Sequence, residues 1–375
     1  MFENVRALLD ESERLGTPAM QLIIHHGGRE VFNECRGVSD ENGTAFTGRE
    51  LMNIYSCTKF FTCVSALKLW EEGKFSLEDD LADYIGAFGD MTVKKNGGIF
   101  KAEKRIKIKH LFTMTSGLDY AIRKSPIMMQ AIAEGGDCET VKMMDAIAKK
   151  PLLFEPGERW EYSLSHDVLG AFIEIVSGKR FGKYVEDLIF KPLGMCDTTL
   201  LLPEEKLPLV CEQYVYDHSR GAYKNMGKRI DGYKFGPLYE SGGAGAISTA
   251  SDYIKFLDAV KERKIISDET IALMTKNHLT EEQSKTYWGA ASYGYGLGVR
   301  VPNGDGRRTD YGWGGAAGAF AAIDEKNDIT LYYSQHVCSS PFAQGKKDLI
   351  EAAKLDLGFE AFSYDMWNSA GHALA

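Results

Sequence analysis

The stretch Ser56-Cys57-Thr58-Lys59 leads directly into the apolar run Phe60-Phe61-Thr62-Cys63-Val64. A serine and a lysine three residues apart at the start of a helix lie on the same face, one turn apart. If burial and a neighbour keep the Lys59 amine neutral, it can accept the Ser56 proton and make the hydroxyl a nucleophile. The backbone N–H of Ser56 would then face a developing oxyanion. We therefore predict that Ser56 is acylated during turnover.

The same spacing occurs a second time, as Ser65-Ala66-Leu67-Lys68. This serine falls in the middle of the predicted helix, where a hydroxyl usually bonds to a carbonyl one turn earlier. Lys68 stands beside Glu71 and Glu72 and is interpreted as a solvated lysine. The pattern is weak by itself, so the case for Ser56 depends on its position and on motifs farther along the chain.

Composition and charge narrow the class of protein. The chain has 375 residues, of which 44% are hydrophobic and 26% charged, which is ordinary for a soluble globular protein with a large core. Its net charge is −9 without a basic block, so nucleic acid and anionic membrane are not expected partners. The N-terminus does not resemble a secretion signal, and no apolar run reaches the roughly 18 residues of a membrane span. We expect a cytoplasmic protein.

The seven cysteines are scattered without a Cys-x-x-Cys pair, which is typical of reduced thiols in a cytoplasm. Cys57 is a rival nucleophile because it adjoins Ser56. On a helix, however, its side chain points about 100° away from that of Ser56. We interpret Cys57 as a packing residue, and we predict neither a metal nor an organic cofactor.

Hydrophobic periodicity predicts an α+β fold. A helix over 3–15 precedes a hairpin of strands 19–26 and 30–35, and a helix over 56–72 follows. Helical and irregular segments dominate from there to about 235. The remaining predicted elements are helices over 251–261, 267–274 and about 341–357, and strands over 293–301, 318–323 and 329–336.

Strands at both ends with helices between them predict one antiparallel sheet built from the two termini. We assign a discontinuous α/β sheet domain to 1–60 and 235–375, and a mostly helical domain to 61–234. The active site is expected at their interface. The tail over 359–375 either docks on the protein or extends from it.

Four further motifs accompany Ser56 and Lys59, in the segments 108–118, 156–163, 192–195 and 242–249. Together they resemble the serine β-lactamase and penicillin-binding-protein superfamily, whose relatives carry a Ser-x-x-Lys signature. The likeness extends over about residues 16–358. It is closest to class C-like β-lactamases and to the esterases that share their fold. It implies a β-lactamase/transpeptidase-like fold, with helices flanking the sheet and a mostly helical insertion.

The resemblance assigns roles to two more segments. Tyr162 matches the tyrosine of the second motif and would act as a base, as a phenolate stabilised by Lys59, before protonating the leaving group. The third motif corresponds to Trp313-Gly314-Gly315, where β-lactamases have Lys-Thr-Gly. These three residues would line the substrate site, and the Ala316 N–H would complete the oxyanion hole with that of Ser56.

Two departures from the family pattern bear on the substrate. Leu164 stands where the second motif often has an asparagine that holds an acylamino group, and we expect it to contact substrate. Trp313 replaces the lysine that helps to bind the substrate carboxylate. Both changes favour a more apolar mouth and weaken the case for an anionic acylamino substrate.

The most favoured function is therefore a serine hydrolase that forms an acyl-enzyme on Ser56, most simply a carboxylesterase acting on small or medium acyl esters. The partner is a small-molecule ester or amide. A β-lactamase or D-stereospecific peptidase is the alternative if the pocket supplies a cation, for which Lys228, Arg229 and Arg307 are candidates. A non-catalytic binding protein on the same scaffold is a further alternative. The oligomeric state stays open.

Overall fold

The computed structural model describes residues 2–228 and 234–362 of the chain. Its α-helices are α1 (Glu3–Arg14), α2 (Thr58–Glu71), α3 (Ile108–Phe112), α4 (Pro126–Glu134), α5 (Met144–Ala148), α6 (Ser165–Ser177), α7 (Phe181–Val185), α8 (Ala250–Lys261), α9 (Asp268–Thr275), α10 (Glu281–Ser284) and α11 (Gly345–Asp356). Its strands are β1 (Ala19–His26), β2 (Arg29–Gly37), β3 (Met52–Asn53), β4 (Thr92–Lys95), β5 (Gly98–Lys101), β6 (Tyr214–Asp217), β7 (Ala222–Asn225), β8 (Ile247–Ser248), β9 (Tyr293–Tyr295), β10 (Arg300–Pro302), β11 (Phe320–Asp324), β12 (Ile329–Gln335) and β13 (Val337–Cys338).

The largest sheet has the strand order β11-β12-β1-β2, and every neighbouring pair is antiparallel. Two of these strands come from each end of the chain. Gly27 and Gly28 connect β1 to β2 with positive φ angles of 59° and 69°, which glycine adopts without strain. The sheet predicted from both termini and the α+β class are confirmed.

Side chains alternate between the two faces of this sheet, as the pleat requires. Leu22 of β1 packs toward α1 and α11, in a cluster that includes Leu9 and Leu349. Ile23 points to the opposite face, where it joins a larger cluster with Phe61 of α2. The sheet is thus a layer between two sets of helices.

Helix α2 passes through the larger cluster. Residues 58–67 are all buried, so this helix is enclosed on every side rather than amphipathic. It packs against α6 from the middle of the chain, and α8 contacts both α2 and the sheet. The cluster therefore contains residues of both predicted domains, and the division into two domains stays a prediction.

The structure differs from the sequence prediction in the region expected to be helical and irregular. Strands β4 and β5 form a hairpin there, as do β6 and β7. Asn96 and Gly97 make the turn of the first hairpin with φ angles of 51° and 77°. An Asn-Gly pair with two positive φ angles is a strong hairpin signal, which the prediction of mainly helical and irregular segments in this region did not include.

The strand predicted over 293–301 is two strands, β9 and β10, which pair with each other. The chain reverses between them, because Gly296 donates its N–H to the Val299 carbonyl at 2.8 Å. Within residues 2–228 and 234–362, no helix is long and apolar enough to cross a membrane.

Candidate active site

Ser56 lies in a short 3₁₀ turn, Tyr55–Cys57, that leads into α2. The preceding Tyr55 has a φ of 47°, a left-handed conformation that is unfavourable for a residue other than glycine. Its buried side chain holds it there, since the Tyr55 hydroxyl donates to Gln213 Oε1 at 2.6 Å. Strain of this kind is common at functional sites, and here it sets the direction of the nucleophile candidate.

Two side chains converge on the hydroxyl of Ser56. The Tyr162 hydroxyl donates to Ser56 Oγ at 2.6 Å, and Lys59 Nζ donates to the same oxygen at 3.3 Å. Lys59 Nζ also lies 4.7 Å from the centre of the Tyr162 ring. The structure therefore brings together the three residues predicted to be catalytic, while their chemical roles stay predictions.

The amine of Lys59 has three hydrogen-bond acceptors, which matches the three protons of an ammonium group. Besides Ser56 Oγ, it donates to the Gly243 carbonyl at 2.6 Å and to the Tyr120 hydroxyl at 3.0 Å. Burial alone would lower the lysine pKa, but the facing tyrosine oxygens of Tyr120 and Tyr162 outweigh it and raise the pKa above its ordinary value. This environment favours a charged lysine, and the role of Lys59 in proton transfer stays a prediction.

Tyr120 is the site residue that the sequence prediction missed. It follows the 108–118 motif in an irregular segment, and desolvation raises the pKa of its hydroxyl. The phenol therefore stays protonated while it accepts a hydrogen bond from Lys59. Only proximity in the fold identifies it, because neither its spacing nor its neighbours distinguish it among 18 tyrosines.

The segment around Gly243 fits closely against the helices behind the site. A Cβ on Gly243 would lie 2.3 Å from Asp167 Oδ2, and one on Gly242 would lie 2.3 Å from the His166 carbonyl. Only glycine permits this approach. The glycine-rich start of the 242–249 motif thus supplies the carbonyl that accepts a hydrogen bond from Lys59.

Aromatic rings fix the position of Tyr162. The ring stacks between Trp160, at a centroid distance of 6.1 Å, and Trp313, at 6.0 Å. The indole N–H of Trp313 also points to the Tyr162 hydroxyl, 3.4 Å away. Trp313 therefore supports the oxygen of Tyr162 with a donor as well as lining the pocket.

The turn after Trp313 borders Ser56. Gly315 donates its N–H to the Ala319 carbonyl at 2.8 Å, and Ala316 is the exposed residue at the tip. A Cβ on Gly315 would lie 2.3 Å from the Ile54 carbonyl, so this turn contacts the backbone just before Ser56. This arrangement suits the predicted oxyanion hole of the Ser56 and Ala316 N–H groups.

A pocket of about 460 Å³ opens in front of Ser56. Its described lining includes the predicted residues Tyr162, Trp313, Gly314, Gly315 and Ala316. Leu164 is not part of that lining. Its side chain is buried in the large hydrophobic core at the start of α6, so the prediction that it contacts substrate is wrong.

Cys57, the rival nucleophile, and the nearby His166 both lie in the protein core. Cys57 is fully buried, and burial raises the pKa of its thiol to about 12. His166 is buried too, its pKa is lowered to about 3 by desolvation, and its Nε2 lies 3.3 Å from the Phe112 carbonyl. Both groups are therefore uncharged at neutral pH and act in packing.

Two of the cations proposed from the sequence, Lys228 and Arg307, are not among the residues that line the pocket. Lys228 donates to the Pro208 carbonyl, and Arg307 lies 3.6 Å from Asp305 on the surface. Arg229 and the tail residues 363–375 lie outside the described residues. The cations that do line the pocket come from β10, the segment before β11 and the start of α11.

The fold and the site together are those of a serine hydrolase with the β-lactamase fold. A family model described as Beta-lactamase matches residues 3–353, and the chain belongs to that family. The resemblance inferred from the motifs is thereby confirmed.

Its relatives include esterases and acyltransferases. The chain is 27% identical over 317 residues to Protein Rv1367c of Mycobacterium tuberculosis, covering 76% of this chain and 77% of that protein. It is 27% identical over 294 residues to Esterase EstB of Burkholderia gladioli, covering 71% of each. The solved structure of EstCE1, described as a hydrolase with promiscuous acyltransferase activity, has a TM-score of 0.77 at 21% identity, with 93% of this chain and 97% of that chain covered.

Proposed function

We propose that this protein is a carboxylesterase that acts on small or medium acyl esters through an acyl-enzyme on Ser56. The observation that carries the proposal is the convergence of the Tyr162 hydroxyl and the Lys59 ammonium on Ser56 Oγ, at 2.6 and 3.3 Å, in front of a pocket. The likeness to Esterase EstB supports the same substrate class.

In the proposed reaction, Tyr162 reacts as a phenolate next to the charged Lys59. Ser56 Oγ attacks the ester carbonyl while its proton passes to Tyr162 Oη, and the N–H groups of Ser56 and Ala316 stabilise the oxyanion. Tyr162 then protonates the departing alkoxide, which leaves the acyl group on Ser56. In the second half, a water molecule attacks this ester and its proton passes to Tyr162. Tyr162 then returns the proton to Ser56 Oγ as the bond to the acyl group breaks, which releases the acid and regenerates both residues.

Lys59 remains protonated throughout this scheme and acts electrostatically. Its three hydrogen bonds fix the ammonium, so its charge is already oriented when Tyr162 loses its proton. The indole N–H of Trp313 assists in the same sense, because it is directed at the phenolic oxygen.

Parallel turnover of three substrates tests the proposal. We expect 4-nitrophenyl butyrate to be hydrolysed by the wild type and not by Ser56→Ala, with little turnover of benzylpenicillin or of a D-alanyl-D-alanine peptide. Rapid hydrolysis of the penicillin or the peptide would favour the β-lactamase or peptidase alternative. No Ser56-dependent turnover of any substrate by folded protein would contradict the enzyme and leave the binding protein.

Acyl transfer to an alcohol is a second candidate. It is favoured by the aromatic lining of the pocket, which suits an organic acceptor, and by the transferase activity named for EstCE1. Adding 1-butanol to the butyrate assay and measuring butyl butyrate separates the two reactions. The ratio of butyl butyrate to butyrate is compared with the molar ratio of butanol to water. A product ratio above that molar ratio would indicate a transferase.

A further inference from the structure

The active-site pocket has an unusual charge composition for this protein. The chain carries a net charge of −9, yet the described residues that line the pocket include four basic side chains and no aspartate or glutamate. The four are Arg300, Arg308, Lys346 and Lys347. The pocket is therefore less apolar than the presence of Trp313 predicts, because basic side chains from other elements also line it.

Two of these cations are neutralised within the protein. Arg300 Nη2 donates to Asp310 Oδ2 at 2.7 Å, in a pair that is almost completely buried. Arg308 contacts Glu351 at 3.1 Å and Asp348 at 3.6 Å, and it is also buried. Their charges are balanced before any ligand binds, so neither arginine requires an anion from outside.

Lys346 is different. It is the second residue of α11 and is half-buried, and its amine has neither a carboxylate within 4.0 Å nor a hydrogen-bond acceptor among residues 2–228 and 234–362. The nearest acidic residue on the helix, Asp348, faces Arg308 and Gln344 instead. An ammonium group that has lost part of its water without gaining a partner is unfavourable, and a bound anion would relieve this cost.

Lys346 lines the same pocket as Ser56. Among the charged groups that act on the Cys57 thiol, next to Ser56, Lys346 has the largest influence. Desolvation, helped by Lys347 and Arg300, lowers the pKa of Lys346 to about 8. Lys347 is more exposed than Lys346, so water screens its charge more strongly.

Aromatic side chains supply most of the large residues in the remaining lining. Tyr287, Tyr293, Trp313 and Phe320 are buried side chains of the wall, and Trp288 stands at the rim with 64% of its surface exposed. A ligand that matches both the aromatic wall and the Lys346 amine has an apolar body and one anionic end. Lys347 is exposed and screened by water, which leaves the half-buried Lys346 to balance one negative charge, and a carboxylate matches that better than a phosphate dianion.

We propose that Lys346 binds a carboxylate of the substrate, so that the preferred substrates are esters with an apolar body and a free carboxylate. This inference rests on the proposed esterase function and narrows its substrate class. Lys346 would take the place of the lysine that Trp313 replaces, but from the start of α11. It is a specificity residue and takes no part in the proton transfers.

Matched pairs of esters test this proposal. The acyl pair is mono-4-nitrophenyl adipate and 4-nitrophenyl hexanoate, which differ in one terminal carboxylate. The alcohol pair is 4-acetoxybenzoate and 4-acetoxybenzamide, which differ in the charge of the leaving group. For the wild type, we expect kcat/KM to favour the carboxylate in at least one pair by about tenfold, the scale of a charge-assisted hydrogen bond.

Three variants assign the preference to one side chain. Lys346→Met should bring the kcat/KM ratio between the carboxylate ester and its uncharged partner close to one in the responding pair. Lys346→Arg should retain most of this ratio, and Lys347→Met should leave it nearly unchanged. The ratio is insensitive to a loss of folded protein, because both esters of a pair are measured on the same enzyme.

A wild type without a carboxylate preference in either pair would overturn the proposal, and so would a preference that survives in Lys346→Met or disappears in Lys347→Met. Ser56-dependent hydrolysis of the uncharged esters without such a preference would refute the Lys346 assignment alone. Absence of all Ser56-dependent hydrolysis would refute the esterase function itself.

Discussion

Two Ser-x-x-Lys patterns stand nine residues apart, and the structure gives them different surroundings. Lys59 is fully buried and donates to three oxygens, one of which belongs to Ser56. Lys68 keeps 32% of its side chain exposed and pairs with Glu71 at 3.1 Å. The same spacing on the same helix therefore yields a candidate catalytic pair at one end and a surface ion pair at the other.

The two serines differ as well. Ser56 faces the pocket, whereas the Ser65 hydroxyl is buried without a hydrogen-bond partner in the described part of the chain. The expected bond from Ser65 to a carbonyl one turn earlier is thus absent there, although Thr62 makes such a bond to the Thr58 carbonyl at 3.2 Å. The comparison teaches that the pattern places two side chains on one face, and that elements from elsewhere in the chain decide whether they can react.

Removing each serine hydroxyl should give the largest contrast. We expect Ser56→Ala to lower kcat/KM for 4-nitrophenyl butyrate by about a million-fold, the scale for loss of a nucleophile. Ser65→Ala should keep full activity and equal or greater stability, because it removes a polar group that has no partner. Steady-state kinetics and urea unfolding measure both. Comparable losses in the two variants would contradict the distinction.

The two lysines should differ by somewhat less. Lys59→Met should reduce kcat by about 1,000-fold, since it removes the charge that stabilises the Tyr162 phenolate. Lys68→Met should leave kcat unchanged and cost less than about 1 kcal/mol of stability, because Lys68 forms a partly exposed ion pair. An active Lys59→Met enzyme would show that Tyr162 works without the ammonium.

Tyr120 offers a finer test of how Lys59 is held. Tyr120→Phe should lower kcat about tenfold, because the ammonium loses one of its three acceptors. Tyr84→Phe is the matched control, since its hydroxyl donates to Asp79 at 2.7 Å in another part of the protein. Equal kcat values for the two variants would remove Tyr120 from the site.

The smallest effect concerns stability at high pH. The pKa of Lys59 is higher in the folded state than in the unfolded state. The stability that this difference contributes is therefore complete at pH values below the unfolded pKa and is lost as the pH rises through the folded pKa. Between pH 9 and pH 11.5 the wild type and Lys68→Met should therefore lose about 1 kcal/mol more stability than Lys59→Met. Urea unfolding at both pH values measures this difference. Identical losses in the three proteins would favour a neutral Lys59.

Much of the fold and of the site could be predicted because the signals are local. The hairpin of β1 and β2 shows in a β-like run that ends at two glycines, and Tyr162 and Trp313 lie within recognisable motifs. Both are contiguous patterns, so a linear sequence carries them.

The remainder depends on contacts between distant segments. Tyr120 meets Lys59 across 61 residues, and Lys346 enters the pocket from the last helix, 290 positions after Ser56. Leu164 was assigned to the substrate site from its place in a motif, but the direction of its side chain depends on how α6 packs. The charge of Lys59 could not be derived from spacing either, because it follows from which oxygens surround the amine.

The central claim, that Ser56 is the residue acylated, is tested most directly by locating a covalent adduct. The protein is treated with a serine-reactive fluorophosphonate, digested and sequenced by mass spectrometry. The account predicts one adduct, on Ser56, which is absent from Ser56→Ala and retained in Ser65→Ala. An adduct on Ser65 or Cys57, or no adduct on folded protein that hydrolyses the ester, would contradict it.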